Sequence, residues 1–177
     1  MKQILVFIFI AFIMSNCDYT RPKSPVISDS LKEEAVTILR ENLRTQSEWV
    51  KVHAAEFLIW SGYPEEVQKA YLEEEKLWSS KSPYRIGIWR ILSQMAGTQE
   101  EKKIYTDKIM QAFLDTSGVD RIHAAETLAK LQISPLKEHP EITQTTLNSP
   151  IQSLALYTRW SIAYTSQDSL LNSCKAF

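Results

Sequence analysis

Two short stretches of this chain carry residue types that chemistry needs. His53-Ala54-Ala55-Glu56-Phe57-Leu58 and His123-Ala124-Ala125-Glu126-Thr127-Leu128 each place a histidine three residues before a glutamate. On a helix, such positions share a face, so each imidazole lies beside its carboxylate. That spacing suits metal ligation or a general acid–base pair. The copies begin 70 residues apart, at 53 and 123. If that is two units of a helical repeat, roughly 16–20 Å separates the helix axes. A metal holds each ligand atom at about 2 Å. One shared site is excluded on that estimate, and a single pair supplies too few ligands. The expectation is a packing role: histidine at a seam between helices, glutamate in water, with no metal and no cofactor.

The remaining inventory points to binding rather than catalysis. No Gly-rich phosphate loop, zinc-finger cysteine set, HExxH or nucleophile elbow occurs, and the chain has three histidines. No enzyme is expected. A second constellation appears when Lys51-Val52-His53, Arg85-Ile86-Gly87 and Arg121-Ile122-His123 are aligned, with spacings of 34 and 36 between the basic residues. A cation at a helix N-terminus opposes the dipole by about 0.3–1 kcal/mol. Each therefore needs an offset, either an acid of a neighbouring unit such as Asp120 or an acidic partner. Trp49, Trp60, Tyr63, Trp78, Tyr84, Trp89, Tyr157 and Trp160 recur near expected helix ends. Such aromatics fill seams or form binding surfaces. The candidate binding set is Lys51, Arg85 and Arg121, with Trp49 and Trp89. The run Glu73-Glu74-Glu75 reads as a solvated helix face.

Helices must position these residues. The chain has four glycines among 177 residues and few β-branched runs beyond its N-terminus, which favours helix over strand. Ser28-Asp29-Ser30 offers caps for a helix over about 30–45. Ser47 opens the next, Gly62 closes it in a left-handed cap, and Pro64 starts a third that runs to Trp78. A fourth spans Tyr84 to Ala96. Thr98 and Glu101 form a capping box for a fifth, reaching about Asp115. The sixth carries the second histidine stretch and ends near Leu131. Pro135 and Pro140 predict an irregular link or a short helix around Glu141–Leu147. The last clear helix runs from Ile151 to about Thr165. Short turns make neighbours antiparallel.

Two helices and two turns fill about 35 residues, a period that signals an α-solenoid. The stretch Asp120-Arg121-Ile122-His123-Ala124-Ala125-Glu126-Thr127-Leu128-Ala129-Lys130-Leu131 resembles second helices of the HEAT-repeat superfamily, with its armadillo relatives: an Asp before an Arg, then small residues, then Leu. His123 departs from the small or apolar residue usual there. The first unit lacks the Asp and has Lys51 for Arg, and the unit at 84–96 has Gly87-Ile88-Trp89 where small residues are expected. The resemblance covers residues 30–165. It implies an all-α, right-handed α-solenoid of antiparallel helix pairs, about 3.5–4 HEAT-like repeats. Tyr84–Arg90 and Asp120–Leu131 are also similar to HEAT-like modules of environmental bacteria found beside sugar-related transporters. That implies a protein partner at the cell envelope, such as a membrane transporter or a sugar-processing system.

The N-terminus reads differently. Lys2 precedes an apolar run from Ile4 to Met14, too short to span a bilayer comfortably. It resembles a bacterial lipoprotein signal over residues 1–16, with Cys17 as the lipidated residue. Asn16 departs from the small residue common before that cysteine, and an uncleaved anchor is the alternative. Residues 17–29, with Pro22 and Pro25, form a tether. If Cys17 is acylated, Cys174 has no disulfide partner in the chain. Residues 166–177 form a weakly patterned tail, with the start of another helix near Asp168 as one reading. With 44% hydrophobic and 23% charged residues the chain is globular. A net charge of −1 gives no general attraction to nucleic acid. The expected protein is a lipid-anchored, non-enzymatic interaction or scaffold module of the cell envelope, facing the periplasm or exterior. A glycan- or polymer-binding accessory of sugar uptake or degradation is the alternative.

Overall fold

The computed structural model describes residues 27–174, with side chains as far as Ala163. The signal stretch 1–16, Cys17 and the tether to residue 26 lie outside the described residues, as do the side chains of the tail. The chain divides into two units, Met1–Lys32 and Glu33–Phe177, and α1 (Asp29–Thr45) crosses the boundary. In the first, Ser28 caps α1 as its residue type predicts. Its hydroxyl accepts from the Leu31 N–H at 3.3 Å, and Lys32 donates to Asp29 at 3.0 Å. Everything from Glu33 onward belongs to the second unit.

The described residues are helical and contain no strand. After α1 come α2 (Glu48–Trp60), α3 (Pro64–Trp78), α4 (Tyr84–Met95), α5 (Gln99–Leu114), α6 (Arg121–Lys130), α7 (Pro140–Leu147) and α8 (Gln152–Cys174). The punctuation residues act where their chemistry directs. Pro64 and Pro140 sit in the first turns of α3 and α7, where no backbone donor is missed. Thr98 Oγ1 accepts from the Glu101 N–H at 3.1 Å, and the Glu101 carboxylate reaches back to the Gly97 N–H at 2.9 Å. The final helix departs from expectation. It does not stop at Thr165 but runs on to Cys174, because no glycine or proline interrupts it. None of the described helices is long and apolar enough to cross a membrane.

Consecutive helices pack from α2 to α6, and α7 packs on α8. In addition, α2 touches α4, α4 touches α6, and α6 touches α8. The centre is α4, where nine of twelve residues are buried, so this helix is covered all round. Ile86, Ile88, Ile91 and Leu92 each stabilise the core by roughly 1.5–3 kcal/mol through burial. Tyr71 from α3, Ile109 and Phe113 from α5, and Ala124, Ala125 and Leu128 from α6 close around them.

The two histidine-bearing helices end alike. Gly62 donates to Ile59 and Tyr63 to Leu58; Gln132 donates to Ala129 and Ile133 to Leu128. Both endings need a left-handed residue, and φ is +90° at Gly62 and +59° at Gln132. Gln132 carries a Cβ that this conformation disfavours. Gln132→Gly should therefore raise unfolding free energy by about 1 kcal/mol, read from urea denaturation midpoints. A loss of stability would show that the glutamine side chain contributes more than its backbone strain costs.

Candidate functional site

The seam where α2, α4 and α6 meet holds the densest group of buried charge. It begins with a missing side chain. A Cβ on Gly87 would lie 2.7 Å from Val52 Cγ2 and 3.2 Å from the Trp49 ring, so only glycine lets α2 approach α4 this closely. Across the gap, the Trp49 and His123 rings stack with centroids 4.7 Å apart and planes 22° apart. Residues from the first and third aligned units thus touch over the middle one.

One helical turn further on, Arg90 of α4 fills the seam and is 0% exposed. Its Nη2 donates to Glu56 Oε2 at 3.1 Å, and its Nη1 reaches Thr127 Oγ1 at 3.4 Å. Its Nε lies 2.9 Å from Glu56 Oε1 but lacks hydrogen-bond alignment. Glu56 is 3% exposed and also has His53 Nδ1 at 3.2 Å from Oε2. Lys130 of α6 joins the two copied stretches, with Nζ 4.0 Å from Glu56 Oε2 and 3.2 Å from Glu126 Oε1. His123 Nδ1 stands 4.0 Å from Glu126 Oε2 and has no aligned partner. The Arg90 guanidinium also sits 5.7 Å from the Trp49 ring centroid.

This geometry corrects one expectation. The glutamate of the first stretch is not in water; it is the counter-ion of a buried arginine. Residues flanking the two stretches also reach across the seam, Trp49 to His123 and Lys130 to Glu56. The signal was present in the aligned register, which places Glu56, Arg90 and Glu126 at equivalent positions, an acid–base–acid row across three helices. Among the described residues no group of three His, Cys, Asp or Glu gathers as a metal would require. What the arrangement does is hold opposite charges in low dielectric at a helix junction.

The basic row engages protein groups. Lys51 donates to Glu74 at 2.5 Å, each side chain being 13% exposed. Arg85 pairs with the buried Asp120, which also accepts from Ser82. Arg121 donates to the Phe113 carbonyl at 2.9 Å and Thr146 Oγ1 at 2.7 Å, and burial lowers its pKa. Of the indoles selected, Trp49 is half-buried and Trp89 is 9% exposed, with Arg85 and Lys108 both 5.6 Å from the Trp89 ring. Trp60, Trp78 and Trp160 are the exposed ones.

The acidic run is not one solvated face, which is a further correction. Successive helical residues turn by about 100°. Glu73 points outward to Lys76, Glu74 points in to Lys51 and the Tyr84 hydroxyl (2.6 Å), and Glu75 points to Lys108 (2.7 Å) and the Tyr105 hydroxyl (3.2 Å).

Beside Glu74, Tyr71 and Tyr84 are buried, and that burial raises both phenol pKa values far above the ordinary one, with Glu74 adding to the effect. A phenol that stays neutral in the fold but ionises when unfolded contributes its full stability below pH about 10 and loses it above. Unfolding free energy should therefore fall by about 1.4 kcal/mol per pH unit for each of the two above that point. Denaturation series at several alkaline pH values, with the slope of the variant Tyr71→Phe shallower by about 1.4 kcal/mol per pH unit, check this. An unchanged slope in that variant would refute the assignment to Tyr71.

Set against known protein families, curated proteins and solved structures, the chain matches none of them.

Proposed function

We propose that this chain is a non-enzymatic interaction module of the cell envelope, tethered through a lipidated Cys17 and built as a solenoid of HEAT-like antiparallel helix pairs. The observation that carries the reading is the succession of contacts from α2 to α4 to α6 to α8, with the intervening helices packed on them. Stacked pairs have this neighbour pattern, and stacked pairs present long surfaces to macromolecules. The buried charge supports a structural part for the seam and leaves the outer helices for a partner. Cross-linking in native membranes, followed by capture of the full chain, tests the reading. One envelope protein should be enriched, and Cys17→Ser should release the chain from the membrane. Recovery of no specific protein from the membrane fraction would overturn it.

A second reading, a glycan- or polymer-binding accessory, is favoured by the exposed indoles of Trp60 (65%) and Trp78 (43%). Tryptophan emission should then shift with a polysaccharide. No shift across a broad panel would sink it.

A further inference from the structure

A cleft of about 570 Å³ opens between α1, α2 and α3. That volume falls within the range that encloses a ligand group of side-chain size or larger. Leu43, 5% exposed, and Ala70 supply its apolar lining. Its charged lining is Arg40, Arg44, Lys51, Lys69, Glu66, Glu73 and Glu74.

Every carboxylate there already has a cation. Arg40 grips Glu66 with a fork of contacts at 2.6–2.9 Å, which holds Glu66 below its ordinary carboxylate pKa. Lys51 holds Glu74, and Lys76 from outside the lining holds Glu73 at 2.7 Å. Arg44, on α1, and Lys69, on α3, are exposed, and neither has a hydrogen-bonded acid among the described residues, although Arg44 adds its charge to the field that Glu66 feels. Four cations thus line the cleft with three carboxylates, in a chain whose net charge is −1.

We propose that this cleft docks an acidic segment of a protein partner, a glutamate or aspartate carboxylate being held between Arg44 and Lys69 with its methylenes on Leu43 and Ala70. This rests on the interaction-module reading and gives that module one defined contact. The chemistry favours a carboxylate on a peptide over a free inorganic anion. An apolar lining rewards an aliphatic stem, and charge-assisted hydrogen bonds from Arg and Lys reward the carboxylate head. A basic segment would meet the like charges of Arg44 and Lys69, so the site discriminates by sign.

The test is fluorescence anisotropy of the full chain in mild detergent with a labelled Glu-rich peptide, against its Gln- and Lys-substituted counterparts. Binding should be confined to the Glu peptide and weaken as salt rises. The double variant Arg44→Glu/Lys69→Glu should weaken it by at least about tenfold, as loss of two charge-assisted contacts implies. Arg44→Ala/Lys69→Ala is the folding control: it places no carboxylate at the C-terminal end of α1, so it should melt close to the parent and still lose binding. Equal binding of the Gln peptide, no binding of the Glu peptide, or full competition by inorganic phosphate at peptide-like concentration would each overturn the proposal. If the charge-reversed chain still captures the same membrane protein, the cleft assignment fails while the interaction reading stands. If the parent chain captures nothing, that reading fails.

Discussion

Glu56→Leu is expected to lower unfolding free energy by about 3–5 kcal/mol, because it leaves the Arg90 guanidinium charged and buried with only Thr127 Oγ1 as a hydrogen-bond partner. For a domain whose whole stability is about 5–15 kcal/mol, that is a large share. Arg90→Met should cost less. The Glu56 carboxylate it strands still has His53 at 3.2 Å and Lys130 at 4.0 Å. The double variant Glu56→Leu/Arg90→Met should recover most of the loss, because the Coulomb attraction of a buried pair roughly balances its desolvation cost. Urea denaturation of the four proteins completes the cycle. A loss under about 1 kcal/mol for Glu56→Leu would mean that water reaches Arg90 and that the seam is not dry.

Gly87→Leu should cost more than about 3 kcal/mol and dismantle the Trp49–His123 stack, which near-ultraviolet circular dichroism of the indole would register. Gly87→Ala separates two opposed effects. Alanine gains about 1 kcal/mol over glycine in helix propensity. Its Cβ, however, meets Val52 Cγ2 at 2.7 Å. Valine on a helix has one strongly preferred rotamer, so this methyl cannot swing away cheaply. Overpacking of about 1–3 kcal/mol should win, giving a net loss. A net gain near the propensity value would show that α2 can move off α4 freely.

The helix boundaries were legible because they rest on local chemistry. Thr98 with Glu101, Pro64, Pro140 and Gly62 act through neighbours a few residues away, and each sits where its type predicts. The end of α8 was not legible, because weak apolar patterning says little about a stretch that simply lacks a breaker. The seam was only half legible. The register of Lys51, Arg85 and Arg121 puts Glu56, Arg90 and Glu126 in one row of alternating sign, but says nothing of their burial. The separation of two helix axes says little about contact where tryptophan, arginine and lysine side chains reach far from an axis. Whether a given cation turns to an internal acid also depends on rotation about each helix, which sets Glu74 inward and Glu73 outward. Exposed Arg44 and Lys69 carried no sequence signal, because a cleft is a relation between helices and not a motif.

The stack of Trp49 on His123, and the reach of Lys130 to Glu56, bear on how the chain comes apart. An array whose units touch only adjacent units behaves like a row of nearest-neighbour-coupled elements, and its ends fray independently. Here α2 is also tied to α6. Losing α2 would strip a ring from His123 and a carboxylate from Arg90 together, so the opening of one end is transmitted past the middle. Amide exchange should accordingly report α2, α4 and α6 as one cooperative block, with similar opening free energies, and not a graded series from the end inward.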